Sequence, residues 1–554
     1  MKLTFSRPMF NHQREFRRVP LRWSLRPLAS AACLAALVIG GAGVASAQGT
    51  PKRGGTAVIG VSVAGATLNT QLTSAVTPLI IADLWADGLF KYDKTGGKKP
   101  QIASSWEISA DGKVYTFRLR PNLKWSDGQP FSSADVAFTL NSFAKYNTYL
   151  VKLLPNIDRA ETPDANTFVV YLKEPQSSVL EGFDKEIFPL MPKHIYEGSD
   201  IPTNAANRAP VGLGPYKFVK WEEGRGITFE RNENYWDQPK PYLDSVVAVF
   251  IPDVQQQQNA LYRGEIDVLR PALPQVGRTI EQGKAKGAFE VREVKVNAAE
   301  RLSLDVNIRR EIFNKPLVRQ ALLVAIDRER ISKDVYQGLA FPAMNAIPEQ
   351  FVKLTDPSVD YNKQFAYDPV KAGKMLDEAG YPLKDGKRFV LDFVGSVNAD
   401  AFYAEPSAQI IAANWRAIGI DVKLNLMEAQ LWSNRVFKET NYDVSMVSLT
   451  ARTDPLFGVD RSFLCNSTNV PFVNPTGYCN PDLDVIAAKA AAVPLDERRQ
   501  WYKQYEEIIA RDMPHLTLTN AKKFFAISTR FGGIDEELDL AFNGNPSMAS
   551  VWVK

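Results

Sequence analysis

Three histidines and three cysteines in 554 residues leave this sequence little material for nucleophilic or metal chemistry. His12 and Cys33 lie in the first 47 residues, so His194, His515, Cys465 and Cys479 are all that remain beyond them. Two histidines are poor material for a Ser-His-Asp triad or a multi-histidine metal site. His-Glu-x-x-His, Gly-x-Ser-x-Gly and the phosphate-cradling Gly-rich loop ending in Lys-Ser/Thr are also missing. Ser142-Phe143-Ala144-Lys145 and Lys94-Thr95-Gly96 imitate two motifs of penicillin-binding enzymes. Their order is reversed and no Ser-Asp-Asn lies between them, so a helix surface and a turn account for both. Asp482 and Asp484 lack calcium-loop spacing and read as a solvated helix start. A hydrolase would need a nucleophile with an aligned base, and the expectation is a protein that is not an enzyme, with no cofactor and no metal.

A basic excess is missing too. The first 47 residues hold seven basic side chains (Lys2, Arg7, Arg14, Arg17, Arg18, Arg22 and Arg26) and one acidic one, leaving 59 basic against 61 acidic in the remaining 507 residues. Without a cationic cluster, a nucleic-acid partner has no electrostatic footprint. The basic stretch, the small-residue apolar run Leu28–Val44 and Ala45-Ser46-Ala47 read as an export signal cleaved after Ala47. The run is shorter than the roughly 20 apolar residues a membrane span needs, and Gly40, Gly41 and Gly43 dilute it. Cys33 lies inside the run, whereas a lipidated cysteine should follow it. Arg17-Arg18 leaves the choice between the general and the twin-arginine export route open. A periplasmic chain is expected, and there Cys465 and Cys479, with 13 residues between them in a Gly/Pro/Asn-rich stretch, are expected to form a disulfide.

Beyond the signal, 507 residues exceed what one core usually serves, so two or three domains are expected. Strand and helix patterns alternate, which predicts an α/β chain. Gly54–Val61 reads as a strand and Pro78–Leu89 as a helix ending near Gly88. Trp106–Phe131 reads as a meander, with Tyr115, Phe117 and Leu119 on one buried face and turns at Asp111-Gly112 and Asp127-Gly128. Ser132-Ser133-Ala134-Asp135 opens a helix with a serine cap and an early acid. Strands are expected at Ile227–Arg231 and Tyr242–Phe250, and Gln255–Gln258 is expected on a helix surface. A helix is predicted from Pro316 to about Tyr336. Asp368-Pro369 to Gly380-Tyr381-Pro382 carries a full helix start and stop. A helix over Ile410–Gly419 leads into a strand over Ile420–Leu426, and residues 452–482 read as a long ordered loop stapled by the cysteines.

Several stretches belong together: Arg53-Gly54-Gly55-Thr56, Gly88–Asp93, Pro100–Trp106 with Ser109–Gly112, Lys124–Gly128, Gly214-Pro215-Tyr216, Arg231-Asn232 with Tyr235-Trp236, Gly264–Asp267, and Val318–Leu322 with Ala325–Arg328. In this order and at these separations they resemble the bacterial extracellular solute-binding proteins of family 5, the dipeptide- and oligopeptide-binding type. The resemblance spans nearly the whole chain beyond the signal. It implies a two-lobed periplasmic binding protein of the class II type, with an extra domain inserted in the first lobe. The implied base lobe is 48–84 with 212–299 and 522–554, the inserted domain 85–211, and the second lobe 300–521. It further implies an ABC importer component, expected as a monomer working with a membrane permease, that captures a peptide or peptide-sized polar solute between closing lobes.

Within this resemblance the ligand-contacting loop precedes an Asp-Pro, here Asp454-Pro455, and paired cysteines nearby match Cys465 and Cys479. Ligand contacts are therefore expected from Leu449, Thr450, Ala451, Arg452 and Asp454, with Tyr403 and Trp432 lining the pocket and Ser74 and Thr77 facing it from the first lobe. One departure stands out. Peptide binders carry an Asp four residues before that proline for the peptide amine, and here the position is Ala451, while 398–407 lacks the arginine that dipeptide binders use for the ligand carboxylate. Arg452 then either contacts an anionic or polar ligand group or pairs with Asp454 as structure. The alternatives to a peptide are an opine, a sugar or a metal chelate, or service as a periplasmic chaperone or sensor.

Overall fold

Strands with one buried face, such as Val114–Leu119, and strands buried on both, such as His515–Ala521, form the sheets, with helices between them. The computed structural model describes residues 50–554 except 63–64, 94–96, 271–272, 295–299, 349–350, 352, 398–402, 451, 453, 467–472 and 535–546. The signal reading, Lys94-Thr95-Gly96 and Ala451 lie outside the described residues.

A sheet of seven strands runs in the order Phe289–Val294, Lys523–Ser528, Val268–Leu269, Thr56–Val61, Ser245–Phe250, Gly226–Arg231, Tyr216–Glu222. Thr56–Val61 pairs in parallel with Ser245–Phe250, and Gly226–Arg231 and Tyr216–Glu222 follow as an antiparallel meander. A sheet of six strands has the order Ala340–Pro342, His515–Ala521, Glu300–Val306, Val444–Thr450, Phe389–Ser396, Ile420–Met427. A four-stranded antiparallel sheet joins Ala103–Ile108, Val114–Leu119, Thr167–Leu172 and Ile157–Asp164. Each sheet has its own apolar core. Trp415, Phe393 and Leu322 belong to that of the six-stranded sheet, Phe117, Trp125 and Phe168 to that of the four-stranded one, and Trp85, Phe229 and Phe525 to that of the seven-stranded one.

The chain passes between these sheets at few points. His515–Ala521 of the six-stranded sheet becomes Lys523–Ser528 of the seven-stranded sheet across Lys522 alone. On the way to and from the four-stranded sheet, Trp85 and Gly212–Gly214 lie side by side, with the Gly214 N–H donating to the Trp85 carbonyl at 2.9 Å. A Cβ on Gly212 would stand 1.9 Å from that carbonyl oxygen, so only glycine lets the two passes touch.

Local grammar accounts for many of the helices. Ser132 and Asp135 form a reciprocal capping box ahead of Ser133–Phe143. Asp368 accepts from the Lys371 N–H at the start of Pro369–Glu378, and Gly380 follows with a left-handed φ of 96°. The first helix is Val76–Trp85, earlier than its apolar pattern suggests, and the helix predicted over 410–419 begins at Ala404. The helix predicted from Pro316 to Tyr336 stops at Val324, because the Asp327 side chain accepts the Arg330 N–H and starts a new turn, Arg328–Arg330. Strands end at Leu119, so 120–131 of the predicted meander is not strand. Gln255–Gln258 lies on the helix Val254–Arg263 as expected, yet Gln257 and Gln258 are buried, which corrects the surface reading. Residues 452–482 hold the short helix Pro455–Gly458 and the turn Asp460–Ser462 rather than loop throughout.

Candidate functional site

Where the six-stranded sheet meets the segment before the first helix, a cavity of about 250 Å³ opens, lined by Met446–Thr450, Glu300, Leu302 and Asp305 on one side and by Ser74, Val76, Tyr149 and Arg270 on the other. One edge of its wall is unusual. Val444–Thr450 pairs along its whole length with Glu300–Val306, but its other edge pairs with Phe389–Ser396 only at Phe393↔Val444 and Val394↔Ser445. From Met446 to Thr450 no strand among the described residues covers that edge.

At one end of the cavity Glu300 receives the Arg270 guanidinium at 2.5 Å, the Tyr403 hydroxyl at 2.9 Å and the Ser448 hydroxyl at 3.0 Å. Burial alone pushes the Glu300 carboxyl up, but the charges of Arg270 and Lys523 and the two hydroxyls outweigh it and hold it below its ordinary value, so it stays ionised. Burial and the Glu300 charge push the Tyr403 phenol well above its ordinary range, so it remains a donor, stacked on Tyr336 at 5.6 Å. Lys523, buried beside this pair, is brought down to about 7 by burial and then by the Arg270 charge.

The other end is built by Tyr149, Arg461, Asp305 and Phe437. Asp305 is bonded to buried His515 at 2.6 Å. Burial lowers the His515 pKa more than Asp305 raises it, and the neutral ring has a proton for Asp305 only as the Nδ1–H tautomer. Trp432 donates its Nε1–H to Ser445 at 3.0 Å and meets Phe437 edge-on at 5.5 Å, forming the apolar wall.

Of the residues singled out in the sequence, Ser74, Tyr403, Trp432, Leu449 and Thr450 line this cavity together. Thr77 is buried in the first helix, and Arg452 and Asp454 are buried behind the wall. The Arg452–Asp454 pairing is corrected, because each has a different partner. Arg452 reaches Glu186 at 3.0 Å and donates to the Tyr149 hydroxyl at 2.9 Å, with its guanidinium 4.3 Å from that ring. Asp454 caps Pro455–Gly458 and meets Arg498 at 2.8 Å. Tyr149, Arg270, Glu300 and Arg461 line the cavity without having been singled out. For Arg461 a signal existed: Asp460-Arg461 is a charged pair inside the otherwise apolar run Leu456–Leu464, where a charge must have a partner or a purpose.

Cys465 and Cys479 are disulfide-bonded, with sulfurs 2.08 Å apart. Replacing both with serine is expected to lower stability by about 3 kcal/mol, the loop-closure value for a ring of this size. Urea unfolding of the double variant beside the oxidised parent measures it, and a shift under 1 kcal/mol refutes it.

No helix among the described residues is long and apolar enough to cross a membrane. Residues 98–469 match the family described as bacterial extracellular solute-binding proteins, family 5 Middle, and the chain belongs to that family. It is a solute-binding component of the ABC-importer type. Among its relatives, the glutathione-binding protein GsiB of Pectobacterium atrosepticum is 27% identical over 473 residues, 84% of this chain and 88% of that one. The dipeptide-binding protein of Escherichia coli is 26% identical over 451 residues, 77% of this chain and 81% of that one. Among solved structures, the binding protein AgaA of A. tumefaciens in complex with agropinic acid superposes with a TM-score of 0.77 at 25% identity, covering 90% of this chain and 99% of that one. A dipeptide-binding protein of a Pseudoalteromonas species in complex with Met-Leu shares the fold, with a TM-score of 0.78 at 24% identity over 90% of this chain and 100% of the other.

Proposed function

We propose that this protein captures a short peptide or a similarly sized polar solute in the periplasm and delivers it to the membrane permease of an ABC importer, without chemical turnover. The open edge of Met446–Thr450 carries the reading. Its backbone N–H and C=O groups are unmatched by a neighbouring strand, and an extended ligand main chain satisfies such an edge by strand addition, leaving its side chains to the surrounding walls. The lobes that close on the ligand are 48–84 with 212–299 and 522–554 on one side and 300–521 on the other, with 85–211 as the inserted domain. Cleavage after Ala47 releases the exported chain. The cavity takes wall residues from both lobes, as a site that rewards closure must. The glutathione and dipeptide named for its relatives, and the agropinic acid bound by AgaA, are all small and rich in polar groups.

Native mass spectrometry of the freshly purified, exported protein tests this. One non-covalently held solute per chain is expected, displaced intact on denaturation. A chain that holds no solute and takes none from a pool of short peptides and opines refutes the reading, as does the appearance of cleaved pool members.

A further inference from the structure

Arg461 is a buried cation with no anion. It is 7% exposed, sits in the turn Asp460–Ser462 and faces the cavity. No carboxylate among the described residues lies within ion-pairing distance of it, and its Nε has no hydrogen-bond partner. The nearest acids hold other groups: Asp305 accepts from His515 at 2.6 Å, Glu186 pairs with Arg452 at 3.0 Å, and Asp460 accepts the Tyr502 hydroxyl at 3.1 Å, so the Asp305 charge reaches Arg461 only from beyond ion-pairing distance. The surroundings add positive charge. Arg452 and Arg461 flank the ring of Tyr149 at 4.3 and 5.5 Å. Burial pushes the Tyr149 phenol up, and the two guanidinium charges outweigh it and bring it below its ordinary value. A guanidinium without an ion-pair partner in such a place destabilises the fold, and an anion in the cavity relieves that cost.

We infer that Arg461 and Tyr149 form the anion-accepting end of the cavity and that the solute carries a carboxylate, or an oxyanion of similar geometry, seated against them. The inference rests on the proposed solute-binding function and narrows it to anionic or zwitterionic solutes. A planar guanidinium offers two parallel N–H donors to a carboxylate. Tyr149 accepts the Arg452 N–H, so its own hydroxyl proton is free to be donated to the same anion. Arg452 is thereby a positioning residue that acts through Tyr149, and Glu186 fixes Arg452 in turn. The carboxylate of Glu300, also on the cavity wall, is already neutralised by Arg270, so it does not compete with the solute anion for Arg461.

The test uses the exported full-length chain and two probe pools: glutathione, Met-Leu and Ala-Ala-Ala as free acids, and the same three with their carboxylates converted to carboxamides. Native mass spectrometry is expected to find the acids retained by the parent and the amides retained about 10- to 100-fold less, the worth of a charge-assisted hydrogen-bond pair. Arg461→Met is expected to lose acid retention by a similar factor while raising the unliganded unfolding midpoint by ~2 °C, because an uncompensated buried charge is gone. A residue that merely supports the fold would lower both. Tyr149→Phe is expected to keep the fold and weaken acid retention less than Arg461→Met does. Equal retention of acids and amides by the parent overturns the inference while leaving the solute-binding function standing, and it does so even where Arg461→Met fails to fold. Undiminished acid retention by a folded Arg461→Met overturns it too. A parent that retains neither pool overturns the inference together with the function on which it rests.

Discussion

Replacing Arg498 with methionine is expected to destabilise the protein by about 3–5 kcal/mol, the usual cost of stranding one member of a buried ion pair. Arg498 and Asp454 are 2.8 Å apart with side chains only 2% and 1% exposed, so water cannot take over when one partner goes. The Arg498 guanidinium also donates to the Ser177 and Ser178 hydroxyls, both at 2.9 Å, and to the Val493 carbonyl at 3.0 Å. Burial pulls the Arg498 pKa down, and the Asp454 charge more than restores it, so the guanidinium stays charged. Ser177 and Ser178 lie in the proposed inserted domain, whereas Asp454 and Arg498 lie in the proposed second lobe. The cluster therefore ties the proposed inserted domain to the proposed second lobe, and Arg498→Met is expected to weaken solute retention as well as the fold if that tie holds the cavity walls in place. Asp454→Asn on the Arg498→Met background removes the stranded charge and is expected to recover part of the loss. Denaturant midpoints of the parent, the single and the double variant decide the matter: a loss below 1 kcal/mol, or a double variant no better than the single, refutes it.

Glu506→Gln is expected to stabilise the protein at alkaline pH by about 3–5 kcal/mol and to be nearly neutral at pH 4.5. Glu506 is buried, accepts the Asp356 N–H at 2.9 Å and has no partner for its other oxygen. Burial, reinforced by the nearby Asp356 charge against the pull of that N–H, drives its pKa from 4.5 up to about 8. A carboxyl whose folded pKa is raised stays protonated in the folded state while the unfolded state releases its proton, so its contribution is complete below pH 4.5 and is lost as pH climbs to about 8. Each pKa unit is about 1.4 kcal/mol, which sets the size of the effect. Glutamine keeps the shape and the acceptor for Asp356 without the charge. Unfolding midpoints of both proteins from pH 5 to pH 9 are expected to diverge steadily across that interval, and a constant offset refutes the assignment.

Local order was legible in the sequence because local order is caused locally. Ser132 with Asp135, and Asp368 with Gly380, announce their helices because a cap is a bond between a side chain and a backbone group two or three residues away. Asp327 belongs to the same grammar, and the continuous helix predicted across it ignored a cap residue in favour of a proline start. The family was legible from the spacing of many weak motifs, and five of the proposed ligand-facing residues fall around one cavity. Partners distant in sequence were not legible. Arg452 and Glu186 are 266 residues apart, and Asp454 meets an arginine 44 residues further on instead of the one two residues before it. No periodicity reports such pairings. Gln258 was hidden for the opposite reason: a polar residue type argues for solvent, and only the packing of the folded chain, which leaves it fully buried, decides otherwise.

The seven-stranded sheet also sets a clock. Thr56–Val61 lies one strand from Lys523–Ser528, with the short Val268–Leu269 between them, and Ala57, Ile59 and Val61 share a core with Phe525, Ile527, Phe531 and Val551. A polypeptide delivered from its N-terminus presents those first apolar strands long before the 461 intervening residues have arrived, and nothing nearby in sequence covers them fully. Each sheet takes its late strand second from an edge, His515–Ala521 in the six-stranded sheet and Lys523–Ser528 in the seven-stranded one, so neither is complete until this segment has arrived. Pairings of such long sequence separation form slowly and leave apolar strands exposed while they wait. The first strand of the chain therefore waits for one of the last, and that interval is when a chain exported as proposed would still be loose enough to be threaded.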